Sequence, residues 1–98
     1  MKKYEIILKP SAVKDMDGLR KYDASAIADR MEKHLVHKPG KVSKSRIKKL
    51  IGIKDPDYRL RVGEYRVFYN INEAEGRVVV LRVMHKDQTH EYYKEVKK

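Results

Sequence analysis

The sequence predicts an α+β domain in which a small antiparallel sheet packs on an N-terminal helical hairpin. Apolar and polar residues alternate in two neighbouring segments, Tyr58–Val62 and Tyr65–Ile71, as is typical of strands with two different faces. A third apolar segment, Arg77–Met84, follows after a short loop. Nearer the N-terminus, apolar residues recur at helical spacing in two segments, 11–21 and 23–35. A chain of 98 residues leaves no room for a second core, so we expect one domain from residue 1 to residue 98.

The composition excludes several classes of protein. The chain has 24 lysines and arginines against 14 acidic residues, and its net charge of +10 indicates an anionic partner, either nucleic acid or an acidic protein. The absence of cysteine excludes disulfides and a thiolate metal site. There is no apolar run of membrane-spanning length and no signal-peptide core, and the basic residues are spread over strands, so we expect a soluble, cytoplasmic protein without a membrane partner.

The central feature is a β-hairpin whose turn is Gly63–Glu64. Glycine at the first central position suits a two-residue type II′ turn. Because a two-residue loop fixes the register, we expect Leu60 to pair with Val67 and Arg61 to pair with Arg66.

The third strand extends the pattern of arginines. Pairing Ile71 with Arg77 keeps the apolar face continuous and sets Arg66 opposite Arg82. Arg61, Arg66 and Arg82 would then form a row across three strands. Like charges that face each other destabilise a sheet by up to ~1 kcal/mol per pair, so we interpret the row as an anion site, with phosphate as the anion. The alternative is a solvated face of arginines without a ligand.

The N-terminal segment predicts a short strand followed by two helices. Lys3–Leu8 alternates weakly and is the expected first strand. The first helix is expected to run from Ser11 to Lys21, with either Pro10 in its first turn or Ser11 as its N-cap. Asp23 is the expected N-cap of the second helix.

The remaining segments carry basic residues and a final helix. Lys41–Lys49 is a basic stretch that we expect to form a short strand with its cations exposed. His34 and His37 lie three residues apart, but no third ligand has useful spacing, so we expect a solvated helix end and no metal. Lys86–Lys98 is expected to form a short C-terminal helix, with Asp87 as a candidate N-cap.

Three segments resemble the RelE/ParE superfamily of toxins from type II toxin–antitoxin systems, and more closely its RelE-like branch. These segments are KPSAVKDMDGL, then KKLIG followed by YRLRVGEYRVFY, and finally VVVLRVMHKDQTHEYY. The middle segment is the most specific, with a Tyr-Arg-x-Arg strand, a glycine turn and a Tyr-Arg strand that ends in an aromatic residue. The resemblance covers nearly the whole chain and implies a curved antiparallel sheet on a helical hairpin.

The resemblance also implies a function and partners. RelE-like members cut messenger RNA in the ribosomal A site, ParE-like members poison DNA gyrase, and each is held inactive by a cognate antitoxin. We therefore expect a ribosome-dependent endoribonuclease in which the 2′-OH of the messenger RNA attacks the neighbouring phosphate, without a metal or small-molecule cofactor. Its partners would be an antitoxin, the ribosome and messenger RNA. The alternatives are a ParE-like gyrase inhibitor without nuclease activity and an inactive nucleic-acid-binding relative.

The resemblance places the candidate site on the central strands and the C-terminal segment. Arg66 is expected to contact the scissile phosphate, and His85 and His90 are the imidazoles available for proton transfer. The alternative for each histidine is a helix-capping or merely exposed side chain. Many members have arginine at the position of Lys86 and several have tyrosine at the position of His90. The candidate catalytic residues are Arg61, Arg66, His85 and His90. The candidate RNA-binding residues are Arg59, Arg82, Lys48, Lys49 and Lys86, with Phe68, Tyr92 and Tyr93 as rings that could stack on a base.

Overall fold

The computed structural model describes residues 2–97, and five of its strands form one sheet. The elements in chain order are β1 (Glu5–Leu8), α1 (Pro10–Asp17), α2 (Lys21–Leu35), β2 (Ile47–Lys49), β3 (Tyr58–Val62), β4 (Tyr65–Asn72), β5 (Arg77–His85), a 3₁₀ turn (Lys86–Gln88) and α3 (Thr89–Val96). The strand order is β1-β5-β4-β3-β2. Among the helices of residues 2–97, none combines the length and the apolar character needed to cross a membrane.

The sheet is mixed. β1 runs parallel to β5, with Glu5 opposite Arg77, whereas the other neighbouring strands are antiparallel. The predicted α+β class is confirmed, but the expectation of an antiparallel sheet is wrong at this edge. A parallel pair needs a long crossover connection, and the chain between β1 and β5 supplies one. Alternation within a strand does not reveal the direction of the neighbouring strand, so the sequence pattern could not predict that β1 pairs with β5 in parallel.

The helical hairpin of α1 and α2 is present, with boundaries that differ from the prediction. α1 begins at Pro10, whose missing N–H is unimportant at a helix start, and it ends before Gly18 instead of reaching Lys21. α2 begins at Lys21, so Asp23 lies inside its first turn and is not the N-cap. Asp23 instead accepts a hydrogen bond from the hydroxyl of Tyr65 at 3.1 Å, which ties α2 to β4.

The main core lies between this hairpin and the sheet. Ile27, Met31 and Leu35 recur every fourth residue along α2 and are buried there, as their spacing predicted. The buried residues that the sheet contributes are Ile47, Leu60, Val62, Val67, Tyr69, Val78, Val80 and Val83. A smaller core lies on the opposite face, where Phe68, Met84 and Tyr92 pack beneath α3. The sheet therefore has a helix-hairpin face and an α3 face.

The turn between β3 and β4 is as predicted. Gly63 has φ of +56°, a value that glycine adopts easily and that the first position of a type II′ turn requires. The register places Arg61 opposite Arg66 and Leu60 opposite Val67. The two-residue turn therefore determines which residues of β3 and β4 face the same side of the sheet.

The predicted register between β4 and β5 is wrong. Arg66 lies opposite Met84 and not opposite Arg82, which instead lies opposite Phe68. An irregularity after Phe68 leaves Leu81 without a partner, as in a β-bulge. The predicted row of Arg61, Arg66 and Arg82 therefore does not form, because Ile71 lies opposite Val78 instead of Arg77 and the bulge shifts the pairing by one further residue.

Candidate nucleic-acid interface

Three arginines lie together on the α3 face of the central hairpin. We call Arg59, Arg61 and Arg66 the arginine cluster. Arg61 is exposed and directly opposite Arg66, which is half-buried, as is Arg59. Burial and the neighbouring charges of Arg59 and Arg61 lower the pKa of Arg66, although an arginine remains charged at neutral pH. Within residues 2–97, no member of the cluster forms a salt bridge.

The turn holds Arg66 in place and leaves donors of the cluster available. Arg66 Nη1 donates to the carbonyl oxygens of Gly63 at 3.0 Å and Tyr65 at 2.9 Å. Arg59 Nε is buried and has no hydrogen-bond partner among the described residues. An anion with several oxygens would bind the accessible guanidinium nitrogens of the cluster, because guanidinium groups match phosphate oxygens in pairs. The cluster is therefore a candidate anion site that does not include Arg82.

Arg82 has a structural partner. Its Nε donates to Asp15 Oδ2 at 2.7 Å and its Nη2 donates to Asp15 Oδ1 at 3.1 Å. The same carboxylate accepts a bond from the backbone N–H of Val83 at 2.9 Å. These bonds raise the pKa of Arg82 and fasten α1 to β5. The guanidinium of Arg82 is therefore engaged by Asp15, a partner that the sequence analysis missed, and the RNA-binding role of Arg82 stays a prediction.

Two of the three predicted stacking rings are buried. Phe68 is fully buried, with its ring centre 4.8 Å from that of Tyr92 and 5.8 Å from that of Tyr93. Tyr92 is 7% exposed, and burial raises its pKa to about 12. Neither ring offers a face to a base, because both fill the core beneath α3. Tyr93 is half-exposed and is the remaining candidate for stacking.

His85 lies on the helix-hairpin face, away from the arginine cluster. It is opposite Tyr65, and the two rings meet edge to face with centres 5.6 Å apart. Its Nδ1 accepts a hydrogen bond from the backbone N–H of Asp87 at 3.1 Å and caps the 3₁₀ turn. The N-cap of this turn is therefore His85 and not Asp87, which donates its backbone N–H to the cap. Residues that alternate along a strand face opposite ways, so His85 is separated from the side of Arg66 and Met84.

The other candidates lie on α3 and β2, and they do not all share the face of the arginine cluster. His90 is exposed on α3, three residues before Tyr93, and both line the same surface pocket. Lys48 is opposite Arg59 on β2 and extends the cluster. Lys49 points to the helix-hairpin face, where its ammonium lies 6.0 Å from the centre of the Tyr58 ring.

Lys86 is engaged in an exposed ion pair. Its Nζ lies 2.9 Å from Glu64 Oε2, and this bond lowers the pKa of Glu64. Pairs of this kind on a surface contribute little to stability, so a stronger anion could displace Glu64. Lys86 thus lies beside the Gly63–Glu64 turn, which joins the two strands that hold the arginine cluster.

A metal site is not evident in the described part of the chain. Residues 2–97 hold no group of three or more histidine, cysteine or acidic side chains that could bind a metal ion. The chemistry considered below uses the side chains described above.

Comparisons with known proteins identify the family. The family model of ParE toxins from type II toxin–antitoxin systems (parDE) matches residues 6–90. A search of curated proteins finds no match. The toxin of a RelBE toxin–antitoxin complex from Mycobacterium tuberculosis is similar in structure, with 27% identity, a TM-score of 0.65, and coverage of 85% of this chain and 98% of that one.

Two archaeal structures are also similar. A RelE–RelB complex from Pyrococcus horikoshii OT3 shows 27% identity and a TM-score of 0.63, covering 86% of this chain and 96% of that one. A RelB–RelE complex from Methanococcus jannaschii shows the same fold at 22% identity and a TM-score of 0.63, covering 88% of this chain and 96% of that one. The chain therefore belongs to the ParE toxin family of type II toxin–antitoxin systems, within the RelE/ParE superfamily.

Proposed function

We propose that this toxin is a RelE-type endoribonuclease that cleaves messenger RNA on the ribosome. The observation that carries the proposal is the arginine cluster on the α3 face, in which three cations lie together without a salt bridge in residues 2–97. Such an arrangement destabilises the free protein, so it is best accounted for by an anionic ligand. The 27% identity that chains of RelBE and RelE–RelB complexes from two organisms share with this chain, across nearly their whole length, supports the RelE branch.

The chemistry of cleavage fits this cluster. The 2′-oxygen of the RNA forms a bond to phosphorus while the bond from phosphorus to the 5′-oxygen breaks, which leaves a 2′,3′-cyclic phosphate and a 5′-hydroxyl. The proton lost by the 2′-hydroxyl must leave and a proton must reach the 5′-oxygen. The extra negative charge develops on the phosphate oxygens in between, where guanidinium groups stabilise it. Arg66, held by the turn, is the arginine proposed to contact the scissile phosphate, with Arg61 beside it.

Proton transfer is proposed for residues of α3. Tyr93 packs on Phe68 next to Arg66, whose pKa it influences, and His90 lies one helical turn earlier. His85 is a weaker candidate because it faces the helix hairpin and its Nδ1 is engaged. We therefore assign proton transfer to His90 or Tyr93, with Tyr93 also available to stack on a base. Arg59 and Lys48 would hold the RNA backbone.

A cognate antitoxin is the proposed regulator. The relatives from Mycobacterium tuberculosis and Pyrococcus horikoshii were solved as complexes with antitoxins. The net charge of +10 favours an acidic segment as the partner, since complementary charge speeds association. Covering the arginine cluster would block access of RNA to it.

Inhibition of DNA gyrase is the second candidate function. Two observations favour it: the family model that matches is that of ParE toxins, and His85 lies apart from the arginine cluster. In this case the arginines would contact gyrase and no RNA would be cut.

Primer extension on messenger RNA after induction, combined with gyrase supercoiling in vitro, separates the two functions. We expect cuts within translated frames and normal supercoiling. Arg66→Ala should abolish the cuts, and Arg30→Ala, an exposed arginine of α2, should preserve them as the matched control. Intact messenger RNA together with inhibited gyrase would select the ParE function instead.

A further inference from the structure

A second basic surface lies between the end of α2 and the start of β2, on the helix-hairpin side of the sheet. It is a cleft of about 350 Å³. Its lining residues are Lys33, His34, His37, Lys38, Lys41, Ser43, Arg46 and Ile47. We call it the basic cleft. Its floor includes Ile47, which belongs to the main core, so the cleft and the arginine cluster lie on different sides of the sheet.

All the charged side chains in the sequence segment that lines the basic cleft are positive. Residues 33–54 contain eight lysines and arginines and no aspartate or glutamate. In the described chain, no lysine or arginine of the basic cleft forms a salt bridge. The dipole of α2 favours Lys33 and His34, which lie in its last turn. It does not account for Lys38, Lys41 and Arg46, which lie outside any helix.

His34 adds an observation independent of the net charge. Its Nε2 is buried at the cleft and has no hydrogen-bond partner among residues 2–97. Burial lowers the pKa of His34, and the charges of Arg46, Lys33 and Arg30 lower it further. A buried polar atom without a partner is unfavourable. An anion that entered the cleft would offset the repulsion among the cations around His34.

The lining of the cleft indicates which part of a nucleic acid it would contact. No phenylalanine, tyrosine or tryptophan lines it, and these large rings are common platforms for the splayed bases of single-stranded RNA. Lysine, arginine and serine side chains are the usual partners of phosphate oxygens, and such contacts position a nucleic acid without reading its sequence. The arginine cluster differs, because Tyr93 lies beside it.

We propose that the basic cleft binds the phosphodiester backbone of structured, double-stranded RNA, as a contact separate from the arginine cluster. This site would contribute affinity that is independent of sequence and would take no part in bond breaking. The proposal does not depend on the endoribonuclease function, because it concerns binding and is tested by binding.

The test measures affinity for a short RNA duplex of random sequence by fluorescence anisotropy over a range of salt concentrations. The cleft variant carries Lys33→Ala, Lys38→Ala, Lys41→Ala and Arg46→Ala. The control variant carries Lys3→Ala, Lys9→Ala, Lys14→Ala and Lys21→Ala, four exposed lysines that form no salt bridge in the described chain. Both variants remove four positive charges from the same net charge of +10.

We expect the cleft variant to bind the duplex at least tenfold more weakly, and the control variant to bind within about twofold of the unmodified protein. The slope of log affinity against log salt should fall by up to about 3–4 in the cleft variant, since each phosphate contact contributes roughly 0.9. Equal losses in both variants would show that only net charge matters and would overturn the proposal. Retained duplex binding with lost binding of a poly-glutamate peptide would assign the cleft to an acidic protein segment and would also overturn it.

The imidazole NMR signals of His34 give a second readout on the unmodified protein, which removes any question of misfolding. We expect them to move when the duplex is added, and those of His90 on α3 to move less. A His34 signal that stays unchanged while the duplex binds would overturn the proposal. A chain that cuts no RNA but shows the expected binding would disprove the endoribonuclease function and leave this inference intact.

Discussion

Arg66 and Arg82 lie on neighbouring strands and illustrate two uses of one side chain. Arg66 lies with Arg59 and Arg61, and within residues 2–97 its hydrogen-bond acceptors are backbone carbonyls, whereas Arg82 is bound through two nitrogens to Asp15. The first arrangement leaves positive charge available to a ligand, and the second uses it to join α1 to β5.

We expect Arg66→Ala to separate activity from stability. Its free energy of unfolding should stay within about 0.5 kcal/mol of the original value, since the lost hydrogen bonds are offset by relief of repulsion from two arginines. Messenger RNA cleavage should fall by roughly two to three orders of magnitude, as for the loss of one strong transition-state donor. Single-turnover cleavage and chemical denaturation measure the two quantities.

The matched control for this variant is Arg82→Ala. It should reverse the pattern, with stability lower by about 1–2 kcal/mol and cleavage by the folded fraction largely retained. A folded Arg66→Ala protein with full activity would disprove the phosphate contact.

Tyr92 gives the toxin a sensitivity to alkaline pH. Burial raises the pKa of its hydroxyl from 10.0 to about 12, so the folded state holds this proton more tightly than the unfolded chain does. The stabilisation is complete below pH 10, and it is lost as the pH rises from 10 towards 12, at up to about 1.4 kcal/mol per pH unit. Thermal midpoints across this range should fall less steeply for Tyr92→Phe. Identical slopes in both proteins would contradict the assignment.

At the scale of the elements, Asp15 is the main polar link between α1 and the sheet. Asp15→Ala removes an acceptor that serves three donors on β5 and leaves Arg82 without its partner. We expect a loss of about 2–4 kcal/mol in the free energy of unfolding. Hydrogen exchange at the Val83 amide should also speed up relative to amides in the β3–β4 hairpin. A double-mutant cycle with Arg82→Ala should show non-additive losses.

α3 depends on Phe68 for its attachment to the sheet. Phe68→Ala should reduce stability by about 3–5 kcal/mol, because it empties the smaller core between Tyr92 and Met84. Phe68→Leu should restore most of the stability together with activity, which separates packing from base stacking. If Phe68→Leu folded normally but cleaved no RNA, the ring itself would be needed for the reaction. Chemical denaturation and single-turnover cleavage provide both measurements.

The difference between the two strand pairs shows what a sequence pattern can predict. The β3–β4 register was predicted correctly because a two-residue turn with glycine allows only one pairing. The β4–β5 register was predicted wrongly because Asn72 extends β4 and pairs with Arg77, which the loop sequence did not reveal, and because Leu81 is an extra residue in β5. A bulge depends on how side chains pack across the sheet, and alternation along one strand does not reveal it.

The sequence predicted those features of the candidate site that depend on alternation within a strand, and it did not predict those that depend on packing between elements. Strand parity alone places the three residues of the arginine cluster on one face of the hairpin, whereas the predicted row with Arg82 does not form. Alternation along β5 already places His85 on the face opposite to Arg66, whereas the burial of Phe68 depends on how α3 packs and could not be read from spacing. The basic cleft did have a signal in the sequence, since residues 33–54 lack acidic side chains. Its position beside α2 required the fold.

At the scale of the whole molecule, the net charge of +10 predicts strongly salt-dependent binding to RNA. If the arginine cluster and the basic cleft together neutralise about six phosphates or more, affinity should fall by roughly 10³-fold between about 50 and 200 mM salt. Anisotropy or filter binding at several salt concentrations measures the slope. A flat response would show that the charge does not serve nucleic-acid binding.

The parallel pairing of β1 with β5 also affects when the toxin can fold during its own synthesis. Glu5 pairs with Arg77, so an early strand must wait for a partner 72 residues later, and α3 follows later still. β5 joins β1 to β4, and a nascent chain that ends before it can form the β3–β4 hairpin but cannot close the sheet. Contacts between such distant residues form slowly because a long loop must be closed first. The sheet of a newly made toxin is therefore incomplete while the chain leaves the ribosome. Until β5 pairs with β1 and β4, the chain is incompletely folded and is accessible to other proteins of the cell.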